Sequence, residues 1–169
     1  REAVQIINRL WTQPIVNYQG KFFKIRKAVS MPKPLQKPHP PIWIGSEHPY
    51  MLKLTAELGD GWIITNQSVD EYCNKWHIIK EHAKNMGRSN EEIEATYYSY
   101  TSLSSNSKKA WKNAEELILP ERRRAIGQEL SLNSLGDMCI IGDPDEWISQ
   151  IKEYVAVRAS HSIVKTVPL

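Results

Sequence analysis

Cysteine is scarce in this chain. The two present, Cys73 and Cys139, stand far apart and lack a Cys-x-x-Cys spacing, which excludes a disulfide framework and fits a reducing compartment. No apolar run approaches the length of a membrane span, and no signal-peptide pattern opens the sequence; a cytoplasmic setting with no membrane partner is the expectation. Charge of one sign is not in excess either. Twenty-two basic against 19 acidic residues leave +3, too little to argue for a nucleic-acid partner, and the run Arg122-Arg123-Arg124 reads as the solvated face of a helix. G-x-G-x-x-G, G-x-x-x-x-G-K-[ST] and G-x-S-x-G are all missing, so Rossmann, P-loop and α/β-hydrolase readings have no support. His77 and His82 are five positions apart, off the i, i+4 spacing of a helical ligand pair, and no metal site is expected.

What is present is alternation. With 169 residues, 41% of them hydrophobic, a single domain over residues 1–169 can bury a core. Ala3, Ile6, Ile7, Leu10 and Trp11 recur at helical spacing, and Tyr18 to Ile25 reads as a small hairpin turning at Gln19-Gly20. Pro32 to Pro41 is expected to be extended, because proline excludes helix and restricts its neighbour. Strands follow at Ile42–Ile44, Trp62–Thr65, Ile93–Thr101 and Ile163–Val167. Helices lie between them: Pro49 to Leu58, stopped by Gly59, and a longer one opened by the capping box Ser68-Val-Asp-Glu71, with the apolar stripe Tyr72, Trp76, Ile79 and Ala83. Further helical text covers Lys108 to Leu119 and Pro120 to about Leu130. A last helix is capped at Asp143-Pro-Asp-Glu146 and expected to bury Trp147, Ile148, Ile151 and Val155. Four parallel strands with crossover helices make either half of an eight-fold α/β barrel or a small open sheet.

The strand that stops at Gly45-Ser46 before a helix is the leading site candidate. Several N–H donors can converge on a phosphate there without a Cβ in the way, although the same pattern also makes an ordinary tight turn. Asn66 and Gln67 follow the C-terminal end of the next strand, which is the functional face of a parallel barrel. Tyr98 and Tyr100 share one strand face and Tyr97 takes the other; each is open to a packing role or a ligand contact. Lys165, near the end of the last strand, reads either as a contact for an anionic substrate group or as a solvated lysine.

The run Pro32-Lys-Pro-Leu-Gln-Lys-Pro-His-Pro-Pro-Ile-Trp-Ile-Gly45, then a helix, then Gly59-Asp-Gly-Trp62, resembles the bacterial-luciferase-like superfamily of flavin- and deazaflavin-dependent TIM-barrel oxidoreductases. Ala3-Val-x-Ile-Ile-x-Arg-Leu-Trp11, Tyr18-x-Gly-Lys-Phe22 and Ile140-Ile-Gly-Asp-Pro-Asp-Glu146 extend the match over nearly the whole chain, with a leaning toward the methylenetetrahydromethanopterin reductases. The resemblance implies the C-terminal half of a (β/α)8 TIM barrel, strands five to eight, with a small hairpin insertion; the start at Arg1 inside an amphipathic pattern reads as a fragment. It implies a cofactor, coenzyme F420 or FMN, whose phosphate is gripped by Gly45, Ser46 and Glu47; because a carboxylate repels a phosphate, the Glu47 side chain is expected to turn outward, with only its N–H used. Asn66, Tyr100 and Lys165 are the candidates for binding a small organic substrate during hydride transfer. Ser46 stands where the family commonly has a second glycine, and Arg158-Ala-Ser-His161 lacks the glycine usual at the last helix-to-strand turn. No catalytic residue is assigned, since the family's lie mostly in the other half. Two alternatives stand beside this reading: an FMN-dependent luciferase-like monooxygenase, and a non-catalytic half-barrel that associates with itself. A half-barrel leaves strand edges unpaired, so a homo-oligomer is expected.

Overall fold

The computed structural model of the protein describes residues 1–167. Helix α1 (Glu2–Thr12) is tied at both ends by distant residues. The Glu2 carboxylate accepts the N–H groups of Lys21, Phe22 and Phe23 at 2.7, 3.1 and 3.0 Å. Lys33 Nζ donates to the carbonyls of Leu10 and Gln13 at the other end, where a cation also suits the helix dipole. The hairpin of β1 (Val16–Gln19) and β2 (Lys24–Ala28) is therefore pinned to α1 through its turn. Residues 29–42 form neither helix nor strand, and the peptide bonds before Pro32 and Pro38 are cis. The expected straight approach is instead a series of bends.

The main sheet begins with β3 (Trp43–Gly45), followed by α2 (Pro49–Leu58), β4 (Gly61–Thr65), α3 (Val69–Asn85) and the long β5 (Glu94–Leu103). α4 (Ser107–Asn113) runs through a π-helical segment, Ala114–Ile118, into α5 (Leu119–Ile126). Gly127, at φ +67°, ends α5 in the left-handed conformation, short of the expected Leu130. α6 (Leu132–Met138), β6 (Ile140–Gly142), α7 (Pro144–Ala156) and β7 (His161–Thr166) complete the chain. All strands of this sheet are parallel. This is the α/β architecture of a (β/α)8 TIM-barrel-type protein. Among the described residues no helix is long and apolar enough to cross a membrane.

Among the described residues the sheet has five strands where the sequence pattern gives four; β6 is the addition. Along β5, residues 94–98 pair with β4, 96–101 with β7 and 101–103 with β6. Tyr98 O accepts from Asn66 N–H and Ser104 N–H donates to Gly142 O, whereas Thr101 O accepts from Val167 N–H. Residues of equal parity bond along the same edge, so β6 continues beyond the end of β4, opposite β7. Two β5 hydroxyls hold it: Ser99 Oγ accepts Ile140 N–H at 3.2 Å, and Thr101 Oγ1 donates to Ile140 O at 2.8 Å.

The core has two parts: Tyr100, near the end of β5, packs with Ala110, Ala114, Ile118, Leu119 and Leu135 of the α4–α6 region, and the larger part lies under α2 and α3. Trp62, Ile64, Ala95 and Tyr97 pack under Leu52 and Ala56 of α2 and under Tyr72, Trp76, Ile79 and Ala83 of α3, the expected stripe. α7 departs from its expected face. Trp147 and Ile151 pack on this core and Tyr154 is buried in it, while Ile148 and Val155 point to solvent. The Tyr154 ring stacks on Tyr97 with 3.8 Å between centroids, and that contact sets the rotation of the helix.

Candidate functional site

Register orders the other face of the sheet into rows. Gly45 pairs with Ile63, Ile63 with Thr96 and Thr96 with His161. Thr65, Tyr98 and Ile163 form the next row toward the strand ends, and Tyr100 and Lys165 the next. Directly paired residues of parallel strands share a face. These side chains therefore lie opposite the core under α2 and α3, toward the C-terminal ends where a parallel barrel carries its chemistry, and Tyr98 and Tyr100 there pack against the smaller cluster of the α4–α6 region.

Two clusters form there. The first is the turn from β3 to α2, beside a pocket of about 270 Å³ lined by Gly45, Ser46, Glu47, Ile63, Ile64 and Thr65. The fully buried Trp62 fixes this turn by donating its Nε1–H to Ser46 O at 2.8 Å. Ser46 N–H, which the sequence reading assigns to a phosphate, donates instead to Ile63 O at 3.2 Å. Ser46 Oγ is buried and, among the described residues, has no hydrogen-bond partner. Pro49 has no N–H to offer; Tyr50 N–H goes to His48 Nδ1 at 3.3 Å and Met51 N–H to His48 O at 2.8 Å. Among the described residues the N–H groups of Glu47 and His48 stay unmatched in this turn. The Glu47 carboxylate reaches Lys75 of α3 at 3.3 Å.

Gly45 is informative by contrast with Gly61. A Cβ at Gly61 would run into the Trp43 ring, so packing requires that glycine. A Cβ at Gly45 would meet only Ile63 Cγ2, at an ordinary 3.5 Å, and Gly45 is not among the positive-φ glycines. Among the described residues nothing requires glycine at 45, and its absent side chain leaves the pocket floor bare.

The second cluster joins Tyr100 and Lys165 with a residue that sequence reasoning missed. Tyr100 Oη donates to Glu121 Oε1 at 2.6 Å, Lys165 Nζ donates to the same carboxylate at 2.8 Å and to Tyr100 Oη at 3.0 Å. The hydrogen bonds from Lys165 and Tyr100 hold the Glu121 carboxyl below its usual range, and those to Glu121 and Tyr100 raise Lys165. Arg122 lies over the Tyr100 ring at 5.5 Å. Glu121 carries no sequence signal, being an ordinary-looking acid after a helical proline.

Asn66 sits between the clusters. It is buried, at φ +50°, with its N–H donated to Tyr98 O and its Oδ1 accepting Tyr100 N–H at 3.0 Å. Its polar groups thus position the Tyr98–Tyr100 strand. Nearby Cys139 is buried, which pushes its thiol up to about 12 and leaves it a poor nucleophile. A hollow of about 720 Å³ lies on the helix side between α3, α6 and α7, and its lining includes Asp70, Glu71, Asp137 and Glu153, a poor setting for a phosphate. Among the described residues no group of three or more His, Cys, Asp or Glu could hold a metal ion.

Residues 1–161 match the model of the luciferase-like monooxygenase family. The chain is 26% identical over 185 residues to an F420-dependent glucose-6-phosphate dehydrogenase of Amycolatopsis mediterranei, covering 96% of this chain and 53% of that protein. Over 119 residues it is 33% identical to the 5,10-methylenetetrahydromethanopterin reductase of Archaeoglobus fulgidus, covering 70% of this chain and 35% of that protein. Its fold matches the solved coenzyme F420-dependent tetrahydromethanopterin reductase of Methanopyrus kandleri with a TM-score of 0.82 at 23% identity, over 99% of this chain and 56% of that one. The chain spans about half the length of the curated relatives it matches.

Proposed function

Because the chain belongs to the luciferase-like monooxygenase family, which includes methylenetetrahydromethanopterin reductase-like homologues, we propose that it supplies the phosphate-gripping part of an oxidoreductase using coenzyme F420 or FMN. The observation that carries this reading is the orphaned Ser46 hydroxyl, buried beside two unmatched N–H groups at a bare glycine floor. A buried hydroxyl without a partner is costly and calls for an acceptor. A phosphate oxygen fits it, and the donors of Glu47 and His48 add to the cradle.

The cofactor, when bound, supplies hydride chemistry. The chain's own residues bind, orient and exclude water. Ser46 Oγ–H and the N–H groups of Glu47 and His48 hold the phosphate, and Trp62 keeps that turn in place from beneath. Lys165 presents its remaining ammonium N–H to an oxygen of a small organic substrate, while the Tyr100 hydroxyl, whose one proton goes to Glu121, accepts from Lys165 and orients it. Glu121 fixes both and offsets the lysine charge. Asn66 sets the height of Tyr100 by holding its backbone.

The alternative, an FMN-dependent monooxygenase, would place its cofactor phosphate at the same turn, so cofactor identity separates the two readings. The test is titration with each cofactor, followed by its visible absorbance, for wild type and Ser46→Ala. Saturable binding weakened about tenfold or more by the substitution is expected, the usual effect of losing a hydrogen bond to a charged partner. Equal affinities would remove Ser46 from the site. A second reading, self-association without catalysis, draws on β7, in which all six residues are exposed.

A further inference from the structure

A lysine on a helix flank is ordinarily a solvated charge, and Lys75 is not. Its side chain is only 21% exposed and reaches from the second turn of α3 to the ends of β3 and β4. There Nζ donates to Glu47 Oε2 at 3.3 Å and makes a short bond to Gln67 Oε1. Glu71, the i, i+4 partner that helix geometry would offer, is engaged with Ser68 in the capping box. Gln67 is itself held. Its Nε2 donates to the carbonyls of Thr65 and Asn66, both at 3.4 Å, which turns Oε1 toward the lysine. Its own carbonyl accepts the Tyr154 hydroxyl at 2.7 Å. Lys75 is thus anchored through Gln67 to the core, with its charge against Glu47.

Glu47 is the awkward member of the turn. Its N–H is one of the two unmatched donors, and it lines the pocket beside Gly45 and Ser46. A carboxylate on that same residue opposes any anion bound there, because like charges at this range repel. We propose that Lys75 is a positioning residue for the anion site: by pairing with Glu47 it draws the carboxylate off the turn and cancels its charge, so that Ser46 Oγ and the N–H groups of Glu47 and His48 face a phosphate without competition. This rests on the reading of the turn as a phosphate site.

Inorganic phosphate, titrated into the ¹⁵N-labelled chain and followed at the Glu47 and His48 amides, tests it. Wild type shows saturable shifts. Lys75→Met binds about 3- to 10-fold more weakly, as expected for one unmasked charge at a partly solvated site. Lys75→Met/Glu47→Gln returns to within about twofold of wild type, and Lys75→Arg stays close to wild type; a merely structural lysine would not be rescued at Glu47. Dispersed amide spectra confirm that each variant is folded. Equal binding by wild type and Lys75→Met, or a double variant as weak as Lys75→Met, overturns the role of Lys75 and leaves the phosphate turn standing. No saturable shift in wild type overturns the turn itself and the role of Lys75 with it.

Discussion

The side-chain oxygen of Asn66 accepts the backbone N–H of Tyr100 at 3.0 Å, from a left-handed backbone at the end of β4 into the middle of β5. One short side chain thereby joins a strand that lines the pocket at the Gly45–Glu47 turn to the strand that carries Tyr100 of the Tyr100–Glu121–Lys165 cluster. Asn66→Ala leaves a buried N–H without a partner and places a Cβ-bearing residue with no local hydrogen bond at positive φ. A loss of about 2–4 kcal/mol is expected, read as a shift of the urea midpoint. Asn66→Gly relieves the backbone but still lacks the hydrogen bond, so its stability falls between wild type and Asn66→Ala.

Two glycines of adjacent strands are expected to behave oppositely. Gly61→Ala forces the Trp43 ring to move and costs about 1–3 kcal/mol. Gly45→Ala adds a methyl group at ordinary contact distance from Ile63 and changes stability by less than about 0.5 kcal/mol. Thermal or urea unfolding of the two variants checks the contrast. A Gly45→Ala as damaging as Gly61→Ala would mean that the glycine serves the fold rather than a ligand.

The hairpin anchor predicts an acid-dependent stability. Partial burial alone would raise the Glu2 carboxyl, but the N–H groups of Phe22, Lys21 and Phe23 outweigh it and hold Glu2 below its ordinary value of 4.5. A group lowered on folding stabilises fully above its unfolded pKa, and that contribution is lost as pH falls through the folded value. Below about pH 4.5, wild type should therefore lose stability more steeply than Glu2→Gln, and the two should converge in acid. Urea midpoints across that range measure it; parallel curves would contradict the anchor.

An exposed strand predicts association. β7 pairs with β5 along one edge, and among the described residues its other edge has no partner. Such an edge is a template for another strand. Light scattering of the chain is expected to show a species larger than the monomer as concentration rises. A clean monomer at high concentration would count against self-association.

Local signals were readable in the sequence and distant ones were not. Ser68 with Glu71 and Asp143 with Glu146 mark helix starts because a capping box is complete within four residues, and both boxes form. The stripe Tyr72, Trp76, Ile79 and Ala83 is buried because helical spacing alone fixes a face. β6 escaped because two consecutive isoleucines are too short for a period, and the hydroxyls that hold it, on Ser99 and Thr101, lie about forty residues earlier. The α7 face was misjudged because its sequence offers two apolar stripes and Tyr97, far away on β5, selects between them. At the candidate site, Gly45 and Ser46, Tyr100 and Lys165 were nameable from position on strands, and Glu47 from the family resemblance. Glu121 and Lys75 were not, since each is an unremarkable charge until the fold brings its partner.

The measurement that tests the central claim most directly is the affinity of wild type and Gly45→Val for coenzyme F420 and for FMN, by equilibrium dialysis, with the fold of both checked by circular dichroism. If the bare floor at Gly45 admits the cofactor phosphate to Ser46, Glu47 and His48, the valine obstructs that approach. Affinity for whichever cofactor binds wild type then falls by about 1–3 kcal/mol while the fold is retained. Equal affinities in two folded proteins would contradict the account and make this turn a turn and nothing more.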